Sequence, residues 1–248
     1  HNSNKEAIYF SRKKIPYGAE TYLQHIGIYG FCKKNLSIIS NLSASYLEEV
    51  ENLEQLRWIE SGLKINVITT ESKSIGVDTL DDVAAVEESI KLTNLKVIFS
   101  DVDGVLTDGK IWYGKNGEEL KGFNSKDGFA IKLLQSKGIE FCLISARDSG
   151  PLRKRIEDLG LRHFVLGQSD KILGCKKILE KLNIKKDYAA YIGDDNLDIE
   201  AMNYCGWSFT VSDAVTPVID TAKTVLTSAG GQGVIREVLD YINKFRKL

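Results

Sequence analysis

No C-x-x-C pair occurs in this sequence. Its four cysteines, Cys32, Cys142, Cys175 and Cys205, are dispersed, which argues against a disulfide framework and a zinc site and reads as reduced, mostly buried thiols of a cytoplasmic protein. No apolar run approaches the length of a membrane span, and no signal peptide is visible. Charge of one sign is lacking too: the net value is −1 with 27% charged residues, so neither a nucleic-acid partner nor a membrane surface is expected. Met202 is the single methionine and the sequence starts at His1; it reads as part of a longer product. What is there is a chain of 248 residues, 43% of them hydrophobic, able to bury a sizeable core in one large domain or two modest ones.

The most informative stretch runs from Leu95 to Gly109. Val97, Ile98 and Phe99 read as a buried strand that stops at Asp101-Val102-Asp103-Gly104. In open α/β sheets, ligands bind outside the carboxyl ends of strands, where two aspartates two residues apart could share one crevice. A plain Asp-Gly turn after a strand is the competing local reading. Downstream, Asn116-Gly117 between Ile111–Tyr113 and Glu118–Phe123 is a hairpin signal. Asp127 would cap a helix through Ile131, Leu133 and Leu134 that ends near Gly138. Phe141–Ser145 is a second strand, and a helix with Pro151 in its first turn closes at Gly160. Phe164–Leu166 is a short strand before Ser169-Asp170-Lys171, and a helix carries Ile172, Cys175, Ile178, Leu179 and Leu182. Tyr188–Ile192 runs as a strand into Gly193-Asp194-Asp195, and a last helix spans Gly233 to about Phe245. This alternation predicts an α/β fold, a Rossmann-like parallel sheet with helices on both faces.

The polar residues at the strand ends form an ordered set, Asp101-x-Asp103, Ser145, Lys171, Asp194-Asp195, and each suits phosphoryl transfer from a monoester. Asp101 can attack phosphorus to give an aspartyl-phosphate. Asp103 can protonate the leaving oxygen and then take a proton from water. Ser145 and Lys171 can bind the equatorial phosphoryl oxygens. Asp101, Asp194 and the Asp103 main-chain carbonyl can hold Mg²⁺, which suits oxygen ligands, with Asp195 and Asp198 orienting metal-bound water. The arrangement resembles the haloacid dehalogenase superfamily of phosphatases. That superfamily often covers its site with an inserted cap, but the gaps between these residues hold no cap-sized segment, so an uncapped domain with a projecting β-hairpin is expected. The exposed hairpin residues Ile111, Trp112 and Tyr113 would then serve as an oligomer contact, a homotetramer being the expected state.

Longer motifs narrow the resemblance. "DVDGVLTDG", "NGEELKGFNSKDG", "ISAR", "GQSDK", "YIGDDNLD" and "AGGQGVIREV" are similar to the 3-deoxy-D-manno-octulosonate 8-phosphate (KDO 8-phosphate) phosphatases. That resemblance implies substrate contacts from Asn124, Ser125, Lys126, Asp127, Gly128, Lys132, Arg147 and Arg155, and a role in lipopolysaccharide (KDO) biosynthesis. Arginine suits the carboxylate of such a sugar acid. The chain departs from the family at Lys126 and Gln232, both commonly arginine. Alternatives are a nine-carbon keto acid 9-phosphate as substrate, which Arg147 in "ISAR" disfavours, and a catalytically silent module that tetramerises a CMP-sugar synthetase. Intact Asp101, Asp103, Lys171 and Asp194 argue against the silent module.

The first ninety residues alternate helix and strand without a comparable site. His25–Phe31 and Lys64–Thr70 read as strands, Ser45 as the cap of a helix bearing Leu47, Val50, Leu53, Leu56 and Ile59, and Thr79-Leu80-Asp81-Asp82 as a capping box. "YFSR", "HIGIYGF", "ENLEQLR" and "GVDTLDD" resemble the C-terminal half of the CMP-KDO cytidylyltransferases. The resemblance implies that Arg12, His25, Glu54 and Gln55 line a sugar-acid pocket and that Asp78 holds a divalent metal. No phosphate-binding βα unit precedes Ile8, so the 248-residue chain is not expected to make a CMP-sugar by itself. The expected division is an incomplete cytidylyltransferase-like segment over residues 1–92 and a phosphatase domain over 93–248, the seam falling at Lys91–Asn94, as in a bifunctional phosphatase and CMP-KDO synthetase.

Overall fold

The computed structural model describes residues 1–71, 77, 79–115 and 117–246, divided into two compact units, His1–Gly76 and Val77–Leu248. Asp78 and Asn116, both singled out above, lie outside the described residues.

The first unit has three short helices, α1 (Lys33–Ile39), α2 (Tyr46–Glu51) and α3 (Gln55–Glu60). The single helix expected from Ser45 to Ile59 is broken at Asn52, whose φ of 53° is left-handed, so its apolar stripe is divided between α2 and α3. The two expected strands are absent; among the described residues the β pairing of this unit is one antiparallel bridge, Glu6 to Asn66. An extended segment becomes a strand only when a neighbour takes up its N–H and C=O groups. Ile28 and Ile68 instead face solvent, at 83% and 92% exposure. Among the described residues of this unit, only Gln55, Leu56 and Trp58 are buried.

The second unit opens with α4 (Leu80–Thr93). Thr79 caps it: its hydroxyl accepts from the Asp82 N–H, and the Asp82 carboxylate accepts from the Thr79 N–H at 2.8 Å. The helix continues to Thr93, so Lys91–Asn94, the expected seam, forms its last turn and C-cap. Its far end is tied to the domain, since Tyr241 Oη donates to Glu88 and Arg246 Nη1 donates to Thr93 O at 3.2 Å.

After α4 come β1 (Val97–Ser100), the antiparallel pair β2 (Trp112–Gly114) and β3 (Gly117–Leu120), α5 (Ser125–Ser136), β4 (Glu140–Ile144) and α6 (Gly150–Leu159). The chain continues through β5 (Phe164–Val165), α7 (Lys171–Leu182), β6 (Ala189–Gly193), α8 (Ile199–Tyr204), β7 (Trp207–Thr210), α9 (Thr216–Thr221), β8 (Thr224–Val225) and α10 (Val234–Ile242). The main sheet is parallel with order β5-β4-β1-β6-β7-β8. Strand order reverses between β1 and β6, which is where such sheets open a crevice at their carboxyl edge.

Period-two alternation explains the layers. Ile98 joins the core formed with α5, α6 and α10, through Ile131, Leu134, Ile156 and Leu239. Val97 and Phe99 join the opposite core with α7, α8 and α9, through Cys175, Ile178, Met202 and Val218. Each such side chain, fully buried, stabilises the fold by about 1.5–3 kcal/mol. The strands read as continuous apolar runs because both faces are covered.

Candidate active site

The carboxyl edge of the sheet receives one polar residue from each central element. β1 ends at Ser100, and the ladder reaches one residue further, Asp101 N donating to Ile192 O at 2.9 Å. Ser145 follows β4 and is 1% exposed; Asp194 follows β6; Lys171 opens α7. Lys171 Nζ lies 2.7 Å from Asp101 Oδ2 and 3.1 Å from Asp198 Oδ1. Burial alone would depress this ammonium, but the Asp101 and Asp198 charges outweigh it and hold it above the usual lysine value. The Val102 N–H donates to Asp101 Oδ1 at 2.7 Å. The Ser145 hydroxyl oxygen accepts from Arg147 N at 3.1 Å, which leaves its own proton for donation.

The Asp101 loop needs a glycine. Gly104 sits at φ +90°, and a Cβ there would overlap the Asp194 carboxylate. This close approach is what lets the turn after β1 fold against the turn after β6.

Carboxylate oxygens of Asp101, Asp194 and Asp198 all lie within 4.8 Å of one another. Burial, joined by the charges of Asp101 and Asp198, pushes Asp194 up to about 8. Burial and Asp198 push Asp101 up to about 6 against the pull of Lys171. Among the described residues, Asp194 Oδ1 is buried without a hydrogen-bond partner. Three carboxylates sharing one ammonium, with an orphaned acceptor on Asp194, fit a divalent cation of the Mg²⁺ type. Asp101 and Asp194 would hold it, with the Asp103 main-chain carbonyl available as the expected third donor.

Asp198 belongs to the frame of this cluster. It is completely buried, and four donors occupy its carboxylate: Lys171 Nζ and Tyr191 Oη on Oδ1, at 3.1 and 2.7 Å, and the N–H groups of Asp194 and Asp195 on Oδ2, at 3.0 and 3.2 Å. The expectation that it orients water is corrected accordingly: its lone pairs already hold Lys171 and the Asp194 turn.

Asp103 is partly exposed and paired with Lys121, while Arg147 Nε approaches its Oδ2 at 3.8 Å. Arg147 also donates from Nη1 to Tyr113 Oη at 3.2 Å, which brings β2 to the site. Of the remaining expected substrate contacts, Asn124–Gly128 lie at the start of α5, Lys132 further along it and Arg155 on α6, and among the described residues they make no hydrogen bond or ion pair with Asp101, Asp103 or Asp194. Asn124, and not Asp127, caps α5, accepting from Lys126 N at 2.9 Å. Asp127 is 2% exposed and turned toward α10, where its Oδ1 accepts from Ile235 N and Arg236 N at 2.8 and 3.1 Å. It caps the last helix, satisfying two of that helix's free N–H groups and complementing its dipole. Arg155 lies over the Phe123 ring at 5.4 Å and donates to Asn124 O at 3.3 Å, and a Cβ on Gly128 would strike it. Ser125 and Lys126 line an open groove of about 450 Å³ with Phe129 and Arg236; Lys132 is exposed.

In the first unit, Arg12 donates to the carbonyls of Glu51 and Asn52, each at 2.9 Å, and so closes the C-terminus of α2. His25 Nε2 is 2.7 Å from Tyr29 Oη, Glu54 pairs with Arg57 at 3.1 Å, and Gln55 is buried.

Lys121 and Tyr191 escape a reading of the sequence. Tyr191 carried a usable signal: a hydroxyl at a fully buried position of an apolar strand needs a partner. Lys121 carried none, because a lysine after a hairpin is ordinarily solvated.

The fold and this edge define a hydrolase of the haloacid dehalogenase type, and residues 163–238 match the haloacid dehalogenase-like hydrolase family. The chain is 43% identical over 152 residues, 61% of its length and 84% of the relative's, to the 3-deoxy-D-manno-octulosonate 8-phosphate phosphatase KdsC of Haemophilus influenzae. Two solved structures are similar. The cobalt-bound phosphatase of that name from Haemophilus influenzae has a TM-score of 0.62 at 42% identity, covering 63% of this chain and 91% of that one. The Moraxella catarrhalis enzyme, in complex with magnesium, phosphate and KDO, has a TM-score of 0.62 at 34% identity, covering 64% and 91%. The chain belongs to the 3-deoxy-D-manno-octulosonate 8-phosphate phosphatase family. Among the described residues, no helix is long and apolar enough to cross a membrane.

The carboxylate cluster makes stability depend jointly on pH and cation. Asp194 titrates near 8 in the folded chain against its ordinary 3.8, so the folded state binds more protons than the unfolded one between those values. Its contribution is fully present below the unfolded value and is lost as pH rises through the folded one. A divalent cation replaces the missing protons, so Mg²⁺ is expected to raise Tm several-fold more at pH 8 than at pH 5.5. Differential scanning fluorimetry with and without Mg²⁺ checks this, and an equal shift at both pH values would contradict it.

Proposed function

We propose that this chain hydrolyses KDO 8-phosphate to KDO and inorganic phosphate, as a Mg²⁺-dependent phosphomonoesterase in a KDO pathway. The observation that carries the reading is the Lys171–Asp101 pair at 2.7 Å beside Asp194, at the edge of a sheet of this family. An Asp101 oxygen attacks phosphorus, the bond from phosphorus to the sugar oxygen breaks, and an aspartyl-phosphate forms. Asp103 gives its proton to the departing sugar oxygen. A water oxygen then attacks phosphorus, Asp103 takes the water's proton, and the bond to Asp101 breaks to release phosphate. Lys171 and Ser145 hold the phosphoryl oxygens through both steps, in a water-poor edge where fixed charges act strongly. When bound, the cation neutralises the carboxylates against the incoming phosphate. Arg147, and at the start of α5 Asn124–Gly128 with Lys132 and Arg155, recognise the sugar acid.

Residues 1–92 are read as the C-terminal part of a cytidylyltransferase, joined to a phosphatase domain over residues 93–248. The dephosphorylated sugar is what a CMP-transferring partner activates next, so the pairing of the two activities is chemically consecutive. The assembly is read as a cytoplasmic homotetramer. Trp112, Tyr113 and Leu120 on the hairpin are 59%, 68% and 65% exposed, an apolar surface that favours a second copy as its cover.

Phosphate release with Mg²⁺ from KDO 8-phosphate, a nine-carbon keto acid 9-phosphate and a generic monoester tests the substrate. The expected order of kcat/KM puts KDO 8-phosphate first by at least roughly tenfold, the discrimination that one misplaced polar contact commands. Preference for the nine-carbon acid would reassign the substrate, and no release from any of the three would overturn the reading.

A further inference from the structure

We infer that Lys121 is a positioning residue for Asp103: from the hairpin, it decides which carboxylate oxygen carries the proton that goes to the leaving group. The inference rests on the phosphatase reading above. Lys121 directly follows β3, its side chain is completely buried, and its Nζ is paired with Asp103 Oδ1. The same oxygen lies 3.5 Å from Thr107 Oγ1, at the outer limit of a hydrogen bond. Among the described residues, Oδ2 has only the looser approach of Arg147 Nε at 3.8 Å. The two oxygens are therefore unequal: Oδ1 is engaged by an ammonium, and Oδ2 is open.

That inequality matters because a carboxyl group is nearly two-fold symmetric about its last torsion. An aspartate without a fixed partner presents either oxygen in either direction, and half of those arrangements aim the proton away from the ester oxygen. With Oδ1 accepting from Lys121, the transferable proton resides on Oδ2, and later the proton from water returns to the same atom. Oδ1 can accept from the Lys121 ammonium whether or not Oδ2 carries the proton, so the contact with Asp103 persists through the cycle. The second strand of the hairpin reaches the same group by another route, Tyr113 Oη to Arg147 and Arg147 to Asp103. Both strands thus converge on one carboxylate, and hairpin position is read out at Asp103.

The test compares leaving groups. KDO 8-phosphate expels an alkoxide that needs a proton, whereas p-nitrophenyl phosphate expels a stable phenolate that does not. With wild type, Lys121→Met and Lys121→Arg, kcat and KM are measured on the sugar phosphate, and first-turnover phenolate release is measured on the aryl phosphate. Lys121→Met is expected to lower kcat on the sugar phosphate by about 30-fold, part of the roughly 10²–10⁴-fold that a positioned general acid contributes. KM should stay within roughly threefold of wild type, and first-turnover phenolate release should fall less than about threefold; Lys121→Arg should recover most of the loss. An equal loss on both substrates, or none on either, would overturn the inference. If Lys121→Met does not fold by circular dichroism, Lys121→Gln against Lys121→Arg on the same two substrates decides by the same criterion. Wild-type protein inactive on both substrates would overturn the phosphatase reading itself; active wild type with a uniform loss overturns only the role of Lys121.

Discussion

Asp101→Asn is expected to abolish phosphate release and, in the absence of a divalent cation, to make the protein more resistant to heat. The first effect follows from chemistry. An amide is no nucleophile toward phosphorus, and loss of a covalent nucleophile costs at least about 10⁴-fold in kcat. The second follows from electrostatics. Burial and the Asp198 charge push Asp101 up to about 6 despite Lys171, so at pH 8 its ionised form is held at a net cost that a neutral amide of the same shape removes. Lys171 keeps Asp198 as a partner at 3.1 Å, so the exchange strands no buried cation. With Mg²⁺ present the order reverses, because the variant has lost one of the two side-chain carboxylates that would hold the ion. Thermal unfolding at pH 8 with and without Mg²⁺, beside a phosphate-release assay, reads all three outcomes. A variant less stable than wild type without cation would show that the Lys171 pair outweighs the repulsion. Such opposition between stability and activity is common where a site concentrates like charges.

Asp198→Ala carries the largest expected loss of stability. The substitution removes the acceptor for Lys171 Nζ, Tyr191 Oη and two main-chain N–H groups at once. All of them lie against a residue with no exposure, where water cannot take over. Removing one member of a buried charged pair typically costs about 3–5 kcal/mol, which for a domain of this size lowers Tm by roughly 10 °C. The Asp194 turn, no longer anchored by its own N–H, would also lose its aim toward Asp101, so activity should fall with stability. Urea unfolding in saturating Mg²⁺ separates the two, and a change under about 1 kcal/mol would mean the four donors find other partners. Asp198→Asn is the milder control, since an amide oxygen can still accept from two of them.

How much of this is legible in the sequence depends on whether the deciding interaction is local. Val97–Phe99, Phe141–Ile144 and Tyr188–Ile192 are short apolar runs without alternation, a pattern and length that suit a strand covered on both faces. A polar residue ending each run is therefore at a sheet edge wherever the neighbours come from. That logic places Asp101, Ser145 and Asp194 without any knowledge of pairing. It fails for Asp127: an aspartate at a helix start reads as that helix's own cap, whereas its carboxylate accepts from α10, 108 residues away. It fails for Lys121 for the same reason, since its partner Asp103 is 18 residues back across the hairpin. In the first unit the apolar pattern of His25–Phe31 and Lys64–Thr70 is strand-like, but pattern supplies no partner strand, and the segments stay extended and exposed.

The strand order has a consequence for how the site comes into being. β1 is flanked by β4 on one side and β6 on the other, so both walls of its crevice are encoded downstream of Asp101. A chain emerging from its N-terminus carries the nucleophile early but cannot enclose it until β6 and the Asp194 turn have been made. Non-local closure of this kind is slow to form, and while it is pending Asp101 remains an ordinary solvated carboxylate. The repulsion among Asp101, Asp194 and Asp198 arises only once β6 and its turn dock beside β1. Reactivity therefore waits on β6 and the Asp194 turn, and is absent from any stage of synthesis that ends before them.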